Sequence, residues 1–581
     1  MRLLLYTSAF IVSVICSGSL IGYSSANQNA SLSIVFDVSG SMEDDLKQVR
    51  NGFDSLFRNE VTKSRITTII KDFKIVPVHD TQVGPVQSTR SPEVFQKDIL
   101  RELYPQGGGD CPENILTGIK KALEESRPNS FIYVFTDASA KDYKDLDLVY
   151  ELIQKKMSQV TFVLTGMCNG TEDPGYKVYQ AIATMSNGQV YNIKKNQIGE
   201  FMETFARTLV GGRVQVLSEN SEESAANKTY AFPVDSSIKT ITIQVTNSND
   251  KEKINVVIRD PKGRRITEAK GLNGLQRLMQ NVSSVFFGSI DQPVTGKWIL
   301  EVTTKSKSHS VRISGSTGGR NVDFIQGFTT LALVPTWAKT SLRPLKGRSN
   351  YMKVNINGGV SAIQYVSILQ VNGKSIYRFK SGLSKDVNIY LKSYPLSLPD
   401  DQQFFIKVVG KDKKGLDFQR YSKIAITPRD VRKPTVTCPP KIEVKGGQND
   451  TEIRCFINSE IPFVVEWSGD GGPDKNYLRP SNVTREIDNA TEGVQGVYSV
   501  LIKPAEKYIK FSEENLKDET SYPNNVSKCQ QDLLKRNINL SILQRKLLLA
   551  KHKKEMDVLG IQEKYWLKKL NSIDKKSEKD K

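Results

Sequence analysis

The chain has 581 residues, 38% of them hydrophobic and 25% charged, with a formal net charge of +19. That length exceeds what one hydrophobic core supports and implies several domains. The positive charge points to acidic partners. With only three histidines (His79, His309 and His552) and no HExxH, Cys-x-x-Cys or G-x-x-x-x-G-K-[ST] pattern, the commonest metallopeptidase, zinc and nucleotide-binding signatures are excluded.

The chain opens with Arg2, an apolar run from Leu3 to about Cys16 and small residues up to Ala26. This layout predicts a secretory signal over 1–26, cleaved near Ala26. No later stretch stays apolar for the roughly 18 residues of a membrane-spanning helix, so no transmembrane segment is expected and the product should be soluble and extracellular. Nine Asn-x-Ser/Thr sequons fit that compartment: Asn29, Asn169, Asn227, Asn281, Asn449, Asn482, Asn489, Asn525 and Asn539. Beyond the signal stand Cys111, Cys168, Cys438, Cys455 and Cys529, an odd number that implies at least one free or intermolecularly paired thiol.

Residues 27–210 read as one α/β domain. The apolar runs Leu32–Phe36, Phe73–Val78, Phe131–Phe135, Val160–Leu164 and Gln189–Ile193 predict strands. Between and after them, Glu43–Phe57, Pro92–Leu103, Glu113–Leu123, Asp145–Met157, Tyr176–Met185 and Ile198–Leu209 carry helical periodicity. Short continuous apolar strands alternating with helices predict a mostly parallel, doubly wound (Rossmann-like) sheet covered on both faces. Its ligand site should lie beyond the carboxyl ends of the strands.

After Gly211 the period becomes two, as at Ile241, Ile243 and Val245, at Trp298, Leu300 and Val302, and at Phe404, Ile406 and Val408. Antiparallel β-sandwich modules are expected over 211–322 and 323–430. A third β unit, 431–508, has Cys455, Trp467 and Tyr498 in the order of an immunoglobulin domain, but Val500 stands where the second cysteine would be. The alternatives there are a Cys438–Cys455 pair or a degenerate or truncated domain. A basic helical tail over 509–581 follows, in which Lys528–Lys581 holds 15 Lys and Arg against seven Asp and Glu. Its helix-period leucines suit a self-associating or partner-binding stalk.

Chemistry concentrates at FDVSGSM. Asp37, Ser39 and Ser41 fall on the turn between the first strand and the first helix, where alternate positions can aim one carboxylate and two hydroxyls at a common point. Hard oxygen ligands of this kind suit Mg²⁺, Mn²⁺ or Ca²⁺. Two further loops at the same edge supply Asp110, in QGGGDCPE, and Asp137, directly after the third strand. The plainer alternative is that a serine caps the helix and Asp37 ends a strand. Cys111 and Cys168 also fall at this edge, where a disulfide would brace the ligand face. Two independent buried thiols are the alternative, because spacing does not fix pairing.

Asp-x-Ser-x-Ser after the first strand, a second-loop ligand and a strand-end Asp resemble the metal-ion-dependent adhesion site of von Willebrand factor A domains. Asp37, Ser39, Ser41 and Asp137 match that pattern, while Asp110 stands where the pattern has threonine. The extra negative charge still suits a divalent ion but weakens attraction for an acidic ligand group. The strings DDLKQVRNG, ELYPQGGGDCPE, SFIYVFTDASAKDY and VTFVLTG are similar to hemicentins, with the likeness running through TWAKTSLRP to about residue 508. The resemblance implies a secreted matrix or adhesion protein that is not an enzyme. Its implied partners are extracellular matrix proteins or cell-surface receptors, with acidic glycans as a further class. The competing reading is a basic coiled-coil, nucleic-acid- or glycan-binding protein acting through its C-terminal helix. Nucleic acid is disfavoured there because the tail's Lys and Arg are interspersed with Glu and apolar residues.

Overall fold

The computed structural model describes residues 29–504 apart from 108–110, 210, 222–226, 248–251, 253, 268, 272–273, 283, 307, 318–321, 330–340, 349, 381–388, 392–395, 433, 439–450, 460–462, 468–474, 478–480 and 488–499. The predicted signal, the basic tail and Cys529 lie outside the described residues.

Strand β1 (Ala30–Asp37) is buried along its whole length. Its side chains alternate between two cores: Leu32, Ile34 and Phe36 enter one, Val35 the other. A strand covered on both faces has no use for polar alternation, which is why LSIVF reads as a continuous apolar run. The chain continues through α1 (Glu43–Arg58), α2 (Glu60–Ile69), β2 (Ile70–His79), α3 (Ile115–Glu125), β3 (Phe131–Thr136), α4 (Leu146–Lys156), β4 (Gln159–Leu164), α5 (Pro174–Met185), β5 (Val190–Asn192) and α6 (Ile198–Thr208). The sheet order is Gln82–Val83, β2, β1, β3, β4, β5, with Gln87–Thr89 also paired to β2. β1 to β5 pair in parallel and the two short strands antiparallel.

On one face α1 and α6 pack through Phe53 and Phe205, whose ring centroids lie 5.5 Å apart, edge to face. Burying one such ring stabilises by roughly 1.5–3 kcal/mol. The other face is covered by α3, α4 and α5 through Ile119, Ile153 and Ile182. Since β1 lies between β2 and β3, the chain order reverses there. The crevice beyond the carboxyl ends of β1 and β3 is therefore the fold's topological switch point.

Two elements differ from the periodicity reading. Helix α2 forms where none was expected, because its β-branched residues mask a helix that Asn59 caps by accepting from the Thr62 amide at 3.0 Å. The helix expected over Pro92–Leu103 is broken into Pro92–Val94, a π turn over Phe95–Ile99 and Leu100–Glu102.

Beyond residue 211 come β6 (Arg213–Ser221), β7 (Asn227–Val234), β8 (Ile238–Asn247), β9 (Asn255–Arg259), β10 (Val285–Asp291), β11 (Gly296–Thr303) and β12 (His309–Thr317). After them stand β13 (Val360–Gln370), β14 (Ser375–Lys380), β15 (Phe404–Asp412) and β16 (Asp417–Tyr421). All pairings among them are antiparallel. One ten-stranded sheet contains β10, β8, β12, β6, β16, β15, β13 and β14 in that order, so strands from both expected sandwich spans share it. The join is β6 against β16, with Gln215 opposite Tyr421. The three-stranded sheet β9–β11–β7 faces it across a core that includes Ile243, Trp298 and Leu300. At the join Arg420 and Asp235, both 0% exposed, pair at 2.7 Å.

The α/β domain docks on these strands from the amino-terminal edge of its sheet. Asn187, just before β5, donates from Nδ2 to the carbonyls of Ser422 and Lys423, 2.9 Å each, and the Ala425 amide donates to Met185 O at 2.7 Å. The opposite, carboxyl edge of β1 and β3 carries the candidate site.

Over 435–504 two three-stranded sheets form. One contains Thr451–Asn458 with Cys455, the other Phe463–Trp467 paired with Val500–Pro504. Cys438 and Cys455 are disulfide-bonded with Cα atoms 4.3 Å apart, the pairing alternative left by the missing second cysteine. Val500 stands opposite Trp467 in the ladder.

Candidate metal centre

β1 ends at Asp37, and the chain turns through Gly40–Met42 into α1. The turn is fixed from both sides: the Val38 amide donates to Val78 O at 2.8 Å, and the Gln106 amide donates to Val38 O at 2.7 Å. The Asp37 carboxylate is fully buried. Its Oδ1 accepts from the Ser39 amide at 3.0 Å and its Oδ2 from the Thr136 hydroxyl at 2.7 Å. Burial raises its pKa, partly offset by those hydrogen bonds.

From Asp37 a line of oxygens runs outward. Ser39 Oγ lies 3.1 Å from Ser41 Oγ, and Ser41 Oγ donates to Asp137 Oδ1 at 3.0 Å. The structure therefore brings together four of the five predicted ligands; Asp110 lies outside the described residues. Among the described residues no three His, Cys, Asp or Glu side chains converge at metal-ligating spacing. An all-oxygen set of two carboxylates and two hydroxyls fits a hard divalent cation.

Three neighbours were not singled out in the sequence. Lys195, between β5 and α6, donates from Nζ to Asp137 Oδ2 at 2.8 Å and to Ser41 O at 2.5 Å, and lies 3.6 Å from Asp45 Oδ2. Burial works against its charge, but the bond to Asp137 and the nearby Asp45 outweigh that and hold its pKa above the usual lysine value. Asp45, one turn into α1, is fully buried, and its Oδ1 accepts from Thr165 Oγ1 at 2.5 Å. Desolvation first raises its pKa, with Asp137 adding. Glu113, 1% exposed, is pushed up to about 7 by burial and then by Asp37 and Asp80. The signal for Asp45 was its helical spacing from Ser41. Glu113 shared a loop with Asp110, whereas Lys195 had no local signal.

The loops are also tied together covalently. Cys111 and Cys168 form a disulfide, Cα atoms 5.7 Å apart, and the Ser139 amide donates to Cys168 Sγ at 3.1 Å. Behind the site, a Cβ on Gly166 would stand 2.8 Å from Asp137 O, so only glycine lets the end of β4 approach this closely. Of the sequons, Asn29, Asn169, Asn227 and Asn281 are exposed. The side chains of Asn449, Asn482, Asn489, Asn525 and Asn539 fall outside the described residues.

Residues 31–195 match the family model "von Willebrand factor A domain", and residues 213–318 match "Hemicentin galactose-binding domain-like". Mouse Hemicentin-1 is 36% identical over 482 residues, covering 81% of this chain and 8% of that one. The chain is a hemicentin-like protein with a von Willebrand factor A domain. Mouse Hemicentin-2 is 34% identical over 82% of this chain and 9% of its own length. Rat von Willebrand factor A domain-containing protein 7 is 26% identical over 57% of this chain and 37% of its own. This hemicentin-like chain thus spans less than a tenth of the hemicentins it matches. The likeness assigns it to the secreted proteins of the extracellular matrix. No helix among the described residues is long and apolar enough to cross a membrane.

Proposed function

We propose that this chain is an adhesion protein whose A domain engages matrix proteins or cell-surface receptors through a divalent cation, Mg²⁺, Mn²⁺ or Ca²⁺. Asp37, Ser39, Ser41 and Asp137 hold the ion, with Asp110 contributing from the second loop. The observation that carries this reading is the unbroken run of contacts from buried Asp37 through Ser39 and Ser41 to Asp137, which lies 96 residues beyond Ser41 at the end of another strand. When bound, the cation supplies an open coordination position for a partner's oxygen. The chain's own residues orient the shell: the Thr136 hydroxyl and Ser39 amide fix the Asp37 carboxylate, and Ser41 and Lys195 fix that of Asp137. Tyr104, 70% exposed and two residues before the Gln106 that bridges to Ser39, offers aromatic contact area to a partner. The role is binding without catalysis. We further propose that 27–210 is the ligand-binding domain and that 211–322, 323–430 and 431–508 are its β-rich support. The competing reading through the basic tail rests on residues outside those described.

The test is the melting temperature of the full secreted chain in chelator and in each cation, for wild type and Asp37→Asn. Binding at a cation concentration 100 times Kd stabilises the A domain by about 2.7 kcal/mol, and this shift is expected in wild type alone. An equal shift in the variant would remove Asp37 from the site.

A further inference from the structure

A second polar site, made of other residues than the metal edge, lies beside the β6–β16 join. Register places Arg378 on β14 and Lys407 on β15 on either side of Ser367 on β13, with Tyr421 on β16 next to Lys407. Neighbouring strands are about 4.8 Å apart, so the two cationic positions stand roughly 10 Å apart with a small hydroxyl between them. They line a cleft of about 280 Å³, walled on its far side by Tyr230 of β7.

Both cations are held but not neutralised. The Arg378 guanidinium sits 3.9 Å from the Tyr365 ring centroid and Lys407 Nζ 5.6 Å from that of Tyr421. Among the described residues neither has a carboxylate within ion-pair distance. Glu219, the carboxylate of the cleft, is 2.7 Å from Lys228 instead. Burial, with Arg378 adding and Glu219 opposing, pushes the Lys407 pKa down to about 8. Gly373, in the β13–β14 turn with φ +86°, closes the rim: a Cβ there would meet Glu219 Oε2 at 2.4 Å. Like charges flanking one serine are unfavourable to the fold, and an anion seated between them relieves the repulsion.

We propose that this cleft binds the sulfate or carboxylate group of an acidic saccharide, seated over Ser367 between Arg378 and Lys407. The exposed Thr229 and Ser375 in its wall suit a hydroxyl-rich ligand. The net charge of +19 favours a polyanion over a lone acidic side chain. The site shares no residue with the metal centre.

The experiment measures binding of heparin and hyaluronan oligosaccharides to the full secreted chain by surface plasmon resonance, in chelator so that the metal edge is silent. Wild type is compared with Arg378→Gln, Lys407→Gln and the exposed control Lys414→Gln. Each cleft variant is expected to weaken binding at least tenfold and the control less than twofold. Loss on heparin alone identifies sulfate as the anion, and loss on both identifies carboxylate as sufficient. Arg378 is exposed, so its replacement reports binding without a folding defect. Cleft variants that bind both oligosaccharides within twofold of wild type would overturn the proposal. So would a poly-glutamate peptide that binds as tightly with the same mutational losses.

Discussion

Lys195 Nζ stands 2.8 Å from Asp137 Oδ2, so the carboxylate that closes the oxygen line is already bonded to an ammonium of the same chain. A cation seated between Ser41 and Asp137 has to share or displace that contact. Lys195→Ala is expected to tighten divalent-ion binding by about tenfold, or ~1.4 kcal/mol, measured by titration calorimetry. Weaker binding in the variant would show instead that the ammonium mainly holds Asp137 in place.

The Cys111–Cys168 bridge closes a loop of 57 residues. Loop-closure entropy of that size amounts to about 4 kcal/mol. Replacing both cysteines by serine should lower stability by up to that amount in denaturant titration. Because Cys111 adjoins Asp110, the cation-dependent rise in melting temperature should shrink as well. A variant as stable as wild type would mean that the unbridged loops are already held by their hydrogen bonds.

His309 gives the β strands an acid limit. It is 3% exposed, its Nε2 lies 2.8 Å from the Tyr230 hydroxyl, and burial, with Lys228 adding, pushes its pKa down to about 4 from 6.5. The unfolded chain binds this proton more readily, so stability is full above about pH 6.5 and falls as pH drops toward 4. The loss is on the order of 3 kcal/mol. His309→Gln should flatten the slope of stability against pH in that window, and an unchanged slope would assign the acid sensitivity elsewhere.

Gly166→Ala tests the packing behind the site. Its new Cβ would press on the Asp137 backbone, 2.8 Å from the carbonyl oxygen. Overpacking of this kind costs about 1–3 kcal/mol. The cation response should fall further than stability does, because the displaced residue is a proposed ligand. Full retention of the cation response would show that the end of β3 moves as a unit.

Much of this architecture was legible because continuous apolar runs have few other uses. LSIVF, FIYVF and VTFVL each became a strand buried on both faces, and the carboxyl ends of the first two carry Asp37 and Asp137. Helix α2 was not legible, since Val61, Thr62, Thr67 and Thr68 read as strand formers and only the Asn59 cap betrays it. Lys195 and Glu113 were missed for a different reason. A lysine near a carboxylate becomes a site residue only once β5 is placed beside β4, and a buried glutamate looks like any loop acid until its desolvation is known. The sheet shared by 211–322 and 323–430 was equally silent, because a single pair, Tyr421 with Gln215, makes the join.

Asn187 sits at the end of the parallel sheet opposite the oxygen line, holding Ser422 and Lys423 with one amide while its Oδ1 accepts from the Ser218 hydroxyl. Tension on a partner held at the proposed Asp37–Asp137 site would pass to the β-rich body through this side chain, the Met185–Ala425 contact and others such as Gln403 to Tyr150 Oη and Arg207 to Asp291. The short linker near residue 211 is thereby relieved of being the sole mechanical tether between the gripping end and the β-rich body.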